Sequence, residues 1–104
     1  MGQGIVLVAA LYIHLGREAE FEQFETAAAS IMKRYGGAIE RRIGFDSKND
    51  SSLPHEVHIV AFPDSESFER YRADSDLASL ADLRARAIRQ TIVWPGTELP
   101  LLAK

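Results

Sequence analysis

The chain opens with an unbroken apolar run, Ile5-Val6-Leu7-Val8-Ala9-Ala10-Leu11-Tyr12-Ile13, rich in β-branched residues. It is apolar on both parities, which predicts a strand covered on both faces. Gly16 breaks it, and the period then changes. Phe21, Phe24, Ala28, Ile31, Met32 and Tyr35 recur at three and four, which predicts an amphipathic helix over 18–35. Glu18, Glu20, Glu22 and Glu25 crowd its first turns, and Lys33 and Arg34 its last, as the helix dipole favours. Gly36-Gly37 ends it, since glycine takes the left-handed cap without strain. A two-residue period resumes over 38–45, where Ile39, Ile43 and Phe45 alternate with Glu40, Arg42 and Gly44, and Arg41 interrupts the apolar parity. A polar loop over 46–54 separates this strand from the next, 55–62, which carries Val57, Ile59 and Ala61 on one parity. Pro63-Asp64-Ser65 starts a second helical region with Asp64 as N-cap and with Phe68 and Tyr71 facing inward. That region is interrupted over 72–76. It then continues as a helix with Leu77, Leu80, Ala81, Arg84, Ala87 and Ile88 on one face. Thr91 to Trp94 forms the last strand, stopped by Pro95-Gly96, and the tail still holds Leu99, Leu101 and Leu102.

The order β-α-β-β-α-β is that of an α+β ferredoxin-like domain. Right-handed crossovers give a four-stranded antiparallel sheet in the order 4-1-3-2 with both helices on one face. The chain of 104 residues reads as one domain, with a core over 4–96 and a C-terminal tail over 97–104. The odd parity of the first strand (Ile5, Leu7, Ala9, Leu11, Ile13) is the more uniformly aliphatic and is assigned to the helices. The even parity (Val6, Val8, Ala10, Tyr12) is then left without a cover inside the chain. A second copy is the simplest cover, so the expected partner is the chain itself, in a symmetric dimer packed through sheet faces.

Composition narrows the picture by exclusion. Apolar residues make up 46% and charged residues 26%, and the net charge is -3. That balance gives no general attraction to nucleic acid or to an anionic membrane. There is no cysteine, so disulfides, thiolate nucleophiles and cysteine metal sites are ruled out. The apolar run is far shorter than the ~30 Å of hydrocarbon requires, and no Lys or Arg precedes it as in a signal peptide. The expected location is cytoplasmic. Gly36-Gly37 follows a helix instead of opening one, so no phosphate-binding loop is formed, and no nucleophile elbow is present.

With the elements placed, several segments fit a known pattern. They are the apolar first strand running into a helix, Tyr35-Gly36-Gly37 before the second strand, and Ile59-Val60-Ala61-Phe62-Pro63 leading to Tyr71. Asp74-Ser75-Asp76 and Leu80-Ala81-Asp82-Leu83-Arg84 before Ile92-Val93 continue the match. The chain resembles the dimeric α+β-barrel superfamily and, within it, a family of short bacterial proteins defined only as a domain of unknown function. The resemblance implies a homodimer, and no cofactor is expected for this chain. It spans cofactor-free monooxygenases, haem-degrading enzymes, lactone isomerases and proteins without known activity, and a shared fold does not choose among them. The pocket Asn, Trp and His of haem-degrading relatives are not matched, because the only Asn is Asn49 in the loop and the only Trp is Trp94 on the last strand.

The candidate chemistry is a handful of polar residues in apolar surroundings. His55 and His58 are three apart, but on a strand that spacing points them to opposite faces, so no shared metal is expected. If the second and third strands form a hairpin, Arg42 lies beside His58 and Gly44 beside Glu56. The end of the first strand adds Tyr12 and His14 nearby. His14 and His58 are the candidate acid–base groups, with Tyr12, Arg42 and Glu56 as ligand-binding candidates on the even-parity face toward the partner. The same residues would equally serve as an ion-pair network fixing dimer register. Arg84, on the apolar face of its helix, could clamp a carboxylate or pack its stem on the core and pair with an acid. Tyr71 would line the same sheet–helix space. Three functions remain open: binding of a small, partly apolar molecule, a cofactor-free monooxygenase or isomerase, and a purely structural or interaction module.

Overall fold

The computed structural model describes residues 4–103. Its elements are β1 (Ile5–Ile13), α1 (Glu18–Lys33), β2 (Ala38–Gly44), β3 (Glu56–Phe62), α2 (Ser65–Arg72), α3 (Ser75–Ala78), α4 (Ala81–Ala87) and β4 (Ile88–Gly96). The sheet runs β2-β3-β1-β4 with every pair antiparallel, as the crossover rule requires. The odd parity of β1 does face the helices. Leu11 packs with Phe21, Phe24, Ala28, Ala87 and Ile88, and Leu7 packs with Met32, Val60 and Phe62.

Gly36-Gly37 is used twice over. Gly36 has a φ of 76°, the left-handed conformation that ends α1, and the Gly37 N–H donates to the Met32 carbonyl at 3.1 Å. A Cβ on Gly37 would overlap the ring of buried Phe62 and the side chain of Met32, so only glycine lets the turn close onto the core. Gly37→Ala is expected to destabilise the fold by about 1–3 kcal/mol, the usual cost of overpacking. Urea unfolding of the variant checks this, and an unchanged midpoint would refute the close-approach account.

The second helical region is in three pieces. Asp64 caps α2 by accepting from the Ser67 N–H at 2.8 Å. The interruption expected near 72–76 is made by Asp74, which accepts from the N–H groups of Asp76 and Leu77 and so starts α3 afresh. The break is tied back to the end of α1, where the Tyr35 hydroxyl donates to Asp74 and Arg34 pairs with Asp76 at 2.8 Å. No residue of α2 or α3 is fully buried. Phe68 and Tyr71 of α2 and Leu77 of α3 nevertheless pack against the core.

Two expectations are corrected at the C-terminal side. Ile88 belongs to β4 and not to the preceding helix, with its backbone already extended. Pro95 and Gly96 continue β4 instead of stopping it, pairing with Leu7 and Val6. Proline is tolerated there because β4 is an edge strand.

Candidate functional site

Strand register brings the polar residues together. β2 and β3 pair with Arg42 opposite His58 and Gly44 opposite Glu56, as the hairpin reading expects. His58 also stands opposite Ala9 of β1, whose side chain points toward the helices. Cross-strand partners share a face, so Arg42, Glu56 and His58 lie under the helices and not on the even-parity face assigned to them from the sequence. Tyr12 and His14 do not join them. Strand alternation puts Tyr12 on the opposite face, where the Arg89 guanidinium lies 5.1 Å from its ring centroid. His14 is exposed beyond the strand end and donates its backbone N–H to the Ala87 carbonyl.

The group that forms instead runs Glu22–Arg42–Glu56–His58–Glu25. Arg42 donates from Nη2 to Glu22 Oε2 at 2.6 Å and to Glu56 Oε2 at 2.8 Å, and from Nε to Glu56 Oε1 at 3.0 Å. His58, only 2% exposed, has Nε2 2.8 Å from Glu56 Oε1 and Nδ1 3.6 Å from Glu25 Oε1. Burial alone would raise the Glu56 carboxyl, but hydrogen bonds from Arg42 and His58 outweigh it and hold Glu56 below the usual carboxylate range. Glu56 is therefore an ionised acceptor, and Nε2 of His58 must be the donor. The other ring nitrogen, Nδ1, faces Glu25. The Glu25 side chain is 15% exposed, and its carboxyl is pushed up to about 7 by burial first and then by repulsion from Glu56. An imidazole nitrogen beside a carboxyl raised to about 7 is a pairing suited to moving a proton.

Glu25 and His58 line a cavity of about 330 Å³ between sheet and helices. Its walls are mainly Leu7, Leu11, Phe24, Met32 and Phe62, and its polar groups include Tyr71, Arg84 and Thr91. Tyr71 is pushed up to about 12, mainly by burial, so its hydroxyl keeps its proton. The sequence-based placement of Arg84 and Tyr71 in the sheet–helix space agrees with this lining. On the other side of Glu25, Ile39 and His58 lies a second cleft of about 370 Å³ between α1 and β2, lined by Glu22, Thr26, Arg41 and Arg42. The Glu25–His58 pair thus stands between an apolar chamber and a charged cleft. Glu25 was missed because its charge fitted the acidic first turns of α1. Among the described residues no cluster of His, Asp and Glu has the arrangement of a metal site. Among the described residues, too, no helix is long and apolar enough to cross a membrane.

No protein-family model and no curated protein sequence matches the chain. Solved structures do. A cofactor-independent oxygenase, SnoaB from Streptomyces nogalater, superposes with a TM-score of 0.73 at 19% identity, covering 99% of this chain and 100% of that one. A protein of unknown function from Rhodopseudomonas palustris gives 0.79 at 10% identity over 97% of this chain and 86% of that one. A dabb family protein with a ferredoxin-like fold from Mesorhizobium loti gives 0.62 at 16% identity over 93% and 98%. The fold is ferredoxin-like. At these identities the likeness speaks for architecture alone.

Proposed function

We propose that the protein binds a small, partly apolar molecule between its sheet and helices, in a cavity whose polar groups include Glu25, His58 and Arg84. The observation that carries this reading is the cavity of about 330 Å³, apolar over most of its wall and furnished with a few convergent polar groups. An unfilled interior supports binding over a purely structural role. Native mass spectrometry of protein purified without added ligand tests it, together with Ala9→Leu, which grows a side chain from β1 into the cavity. Carried mass that is present in the wild type and absent from the folded variant is the expected result. Carried mass that survives in Ala9→Leu would place binding elsewhere.

A second reading, a cofactor-free monooxygenase or isomerase, is favoured by the placing of His58 between Glu25 and Glu56 at the cavity. Nδ1 of His58 would take a proton from the bound molecule, and Glu25 would share it. The fold likeness to a cofactor-independent oxygenase is compatible with this chemistry. Turnover of quinol-like or lactone-like substrates, abolished by His58→Gln while binding persists, is the expected result. Binding without turnover would confine the site to the first reading. The protein is further proposed to work as a homodimer through the sheet face that carries no helix.

A further inference from the structure

We propose that the occupant of the cavity is an apolar carboxylate whose anionic head sits on Arg84 while its body lies against Leu7, Phe24, Met32 and Phe62. This rests on reading the cavity as a small-molecule site, and it adds the class of molecule. Two arginines line the cavity, and they differ in what they already hold. Arg72 is engaged, donating to Glu69 at 3.3 Å with its guanidinium 5.5 Å from the Phe68 ring centroid. Arg84 makes a single side-chain hydrogen bond, from Nη2 to Thr91 Oγ1 at 2.8 Å, and among the described residues it has no ion-pair partner. Thr91 itself lines the cavity, so this bond holds the guanidinium at the cavity rim. A guanidinium has five N–H donors in a planar fork, and four of these are left for an oxyanion. The Tyr71 hydroxyl, which stays protonated, adds a neutral donor in the same cavity.

The only acid in the cavity wall is Glu25, and it does not supply the missing partner. Its carboxyl is raised to about 7 by burial first, then by Glu56 of β3 and Glu22 of α1, against the pull of Arg42 on β2 and Arg84 on α4. Tyr71 of α2 and His58 of β3 are its remaining polar neighbours. An anion seated on Arg84 cancels that arginine's pull on Glu25. Binding of a carboxylate therefore draws a proton onto Glu25, and affinity falls as pH rises through 7. A neutral ligand with the same body has no such coupling through Arg84.

Isothermal titration of the full chain with trans-cinnamate and with cinnamyl alcohol tests this, since the two probes share a body and differ in the head. The wild type is expected to bind cinnamate about ten-fold or more tightly than the alcohol, the range of a charge-assisted hydrogen bond. Arg84→Met keeps the apolar stem, and it should abolish that preference by lowering the affinity for cinnamate. Cinnamate affinity should also drop between pH 6 and pH 8 in the wild type. Equal binding of the two probes by the wild type, or a preference that survives in Arg84→Met, overturns the carboxylate assignment and leaves the cavity reading standing. Binding of neither probe overturns both.

Discussion

Glu25→Gln should change stability little at pH 5 and raise it markedly at pH 8. The Glu25 carboxyl has an ordinary value of 4.5 and is raised to about 7 in the folded protein. The folded state then holds the proton more tightly than the unfolded one. The resulting stabilisation is fully present below about 4.5 and is lost as pH rises through about 7. Over that window the loss amounts to about 3 kcal/mol, since each pKa unit corresponds to about 1.4 kcal/mol. Glutamine keeps the shape and hydrogen-bonding of the protonated acid and never charges. At pH 8 the variant should therefore melt about 12–24 °C above the wild type, at the roughly 4–8 °C per kcal/mol typical of a domain this size. Thermal unfolding followed by circular dichroism at pH 5, 6, 7 and 8 measures it. Parallel curves for the two proteins would show that Glu25 is not the buried acid described above. The result bears on function as well, because a cavity whose acid charges near neutral pH holds a more polar interior at pH 8 than at pH 6.

Much of this site was legible from strand register. The two-residue period of β2 and β3 was enough to place Arg42 opposite His58 and Gly44 opposite Glu56, and both pairings hold. The face is not legible from composition, because the aliphatic parity of β1 faces the helices and still shares that layer with polar residues of β2 and β3. His58 aligns with Ala9, and Ala9 belongs to the aliphatic parity of β1. Once β3 is registered on β1, His58 has to point toward α1, where Glu25 neutralises the cost of burying a ring nitrogen. Glu25 carried a signal of its own. It lies four residues after Phe21 and three before Ala28, both fully buried, so helical spacing sets it beside the core stripe. Attention to the helix dipole obscured that spacing. Tyr12 and His14 were drawn in because the end of β1 is close to the start of β3, where the His55 N–H does donate to the Leu11 carbonyl. Proximity along the strand axis did not correct for alternation, which turns Tyr12 away. The extent of β4 was underestimated because proline was read as a stop, and edge position is a tertiary fact that short-range patterns do not contain.

Val8→Glu should convert the proposed dimer to a folded monomer. Val8 sits at the centre of the sheet, flanked in register by Ile59 of β3 and Trp94 of β4. All three belong to the parity opposite Leu7 and Leu11, the residues that pack on the helices. Val6, Val57, Ala61 and Ile92 extend the same face, and Trp94 is left 51% exposed. The described chain is only 16 Å deep along its shortest axis, the depth of a sheet with a single helix layer. A contiguous apolar face of this kind, without a layer over it, is the arrangement expected of an interface. Face-to-face packing about a two-fold axis would set each Val8 against its counterpart's apolar surface, so a glutamate there would be buried without a partner. A cost of roughly 4 kcal/mol weakens association about a thousand-fold. Sedimentation at micromolar concentration should give a dimer for the wild type and a monomer for the variant. Circular dichroism and cavity ligand affinity should be unaltered, because Val8 points away from the helices. A wild type that sediments as a monomer defeats the dimer proposal, and a dimeric Val8→Glu moves the interface to another surface. If the variant is monomeric and still binds its ligand, the cavity is complete within one subunit. If it is monomeric and has lost the ligand, the partner's sheet helps to hold the cavity walls in place.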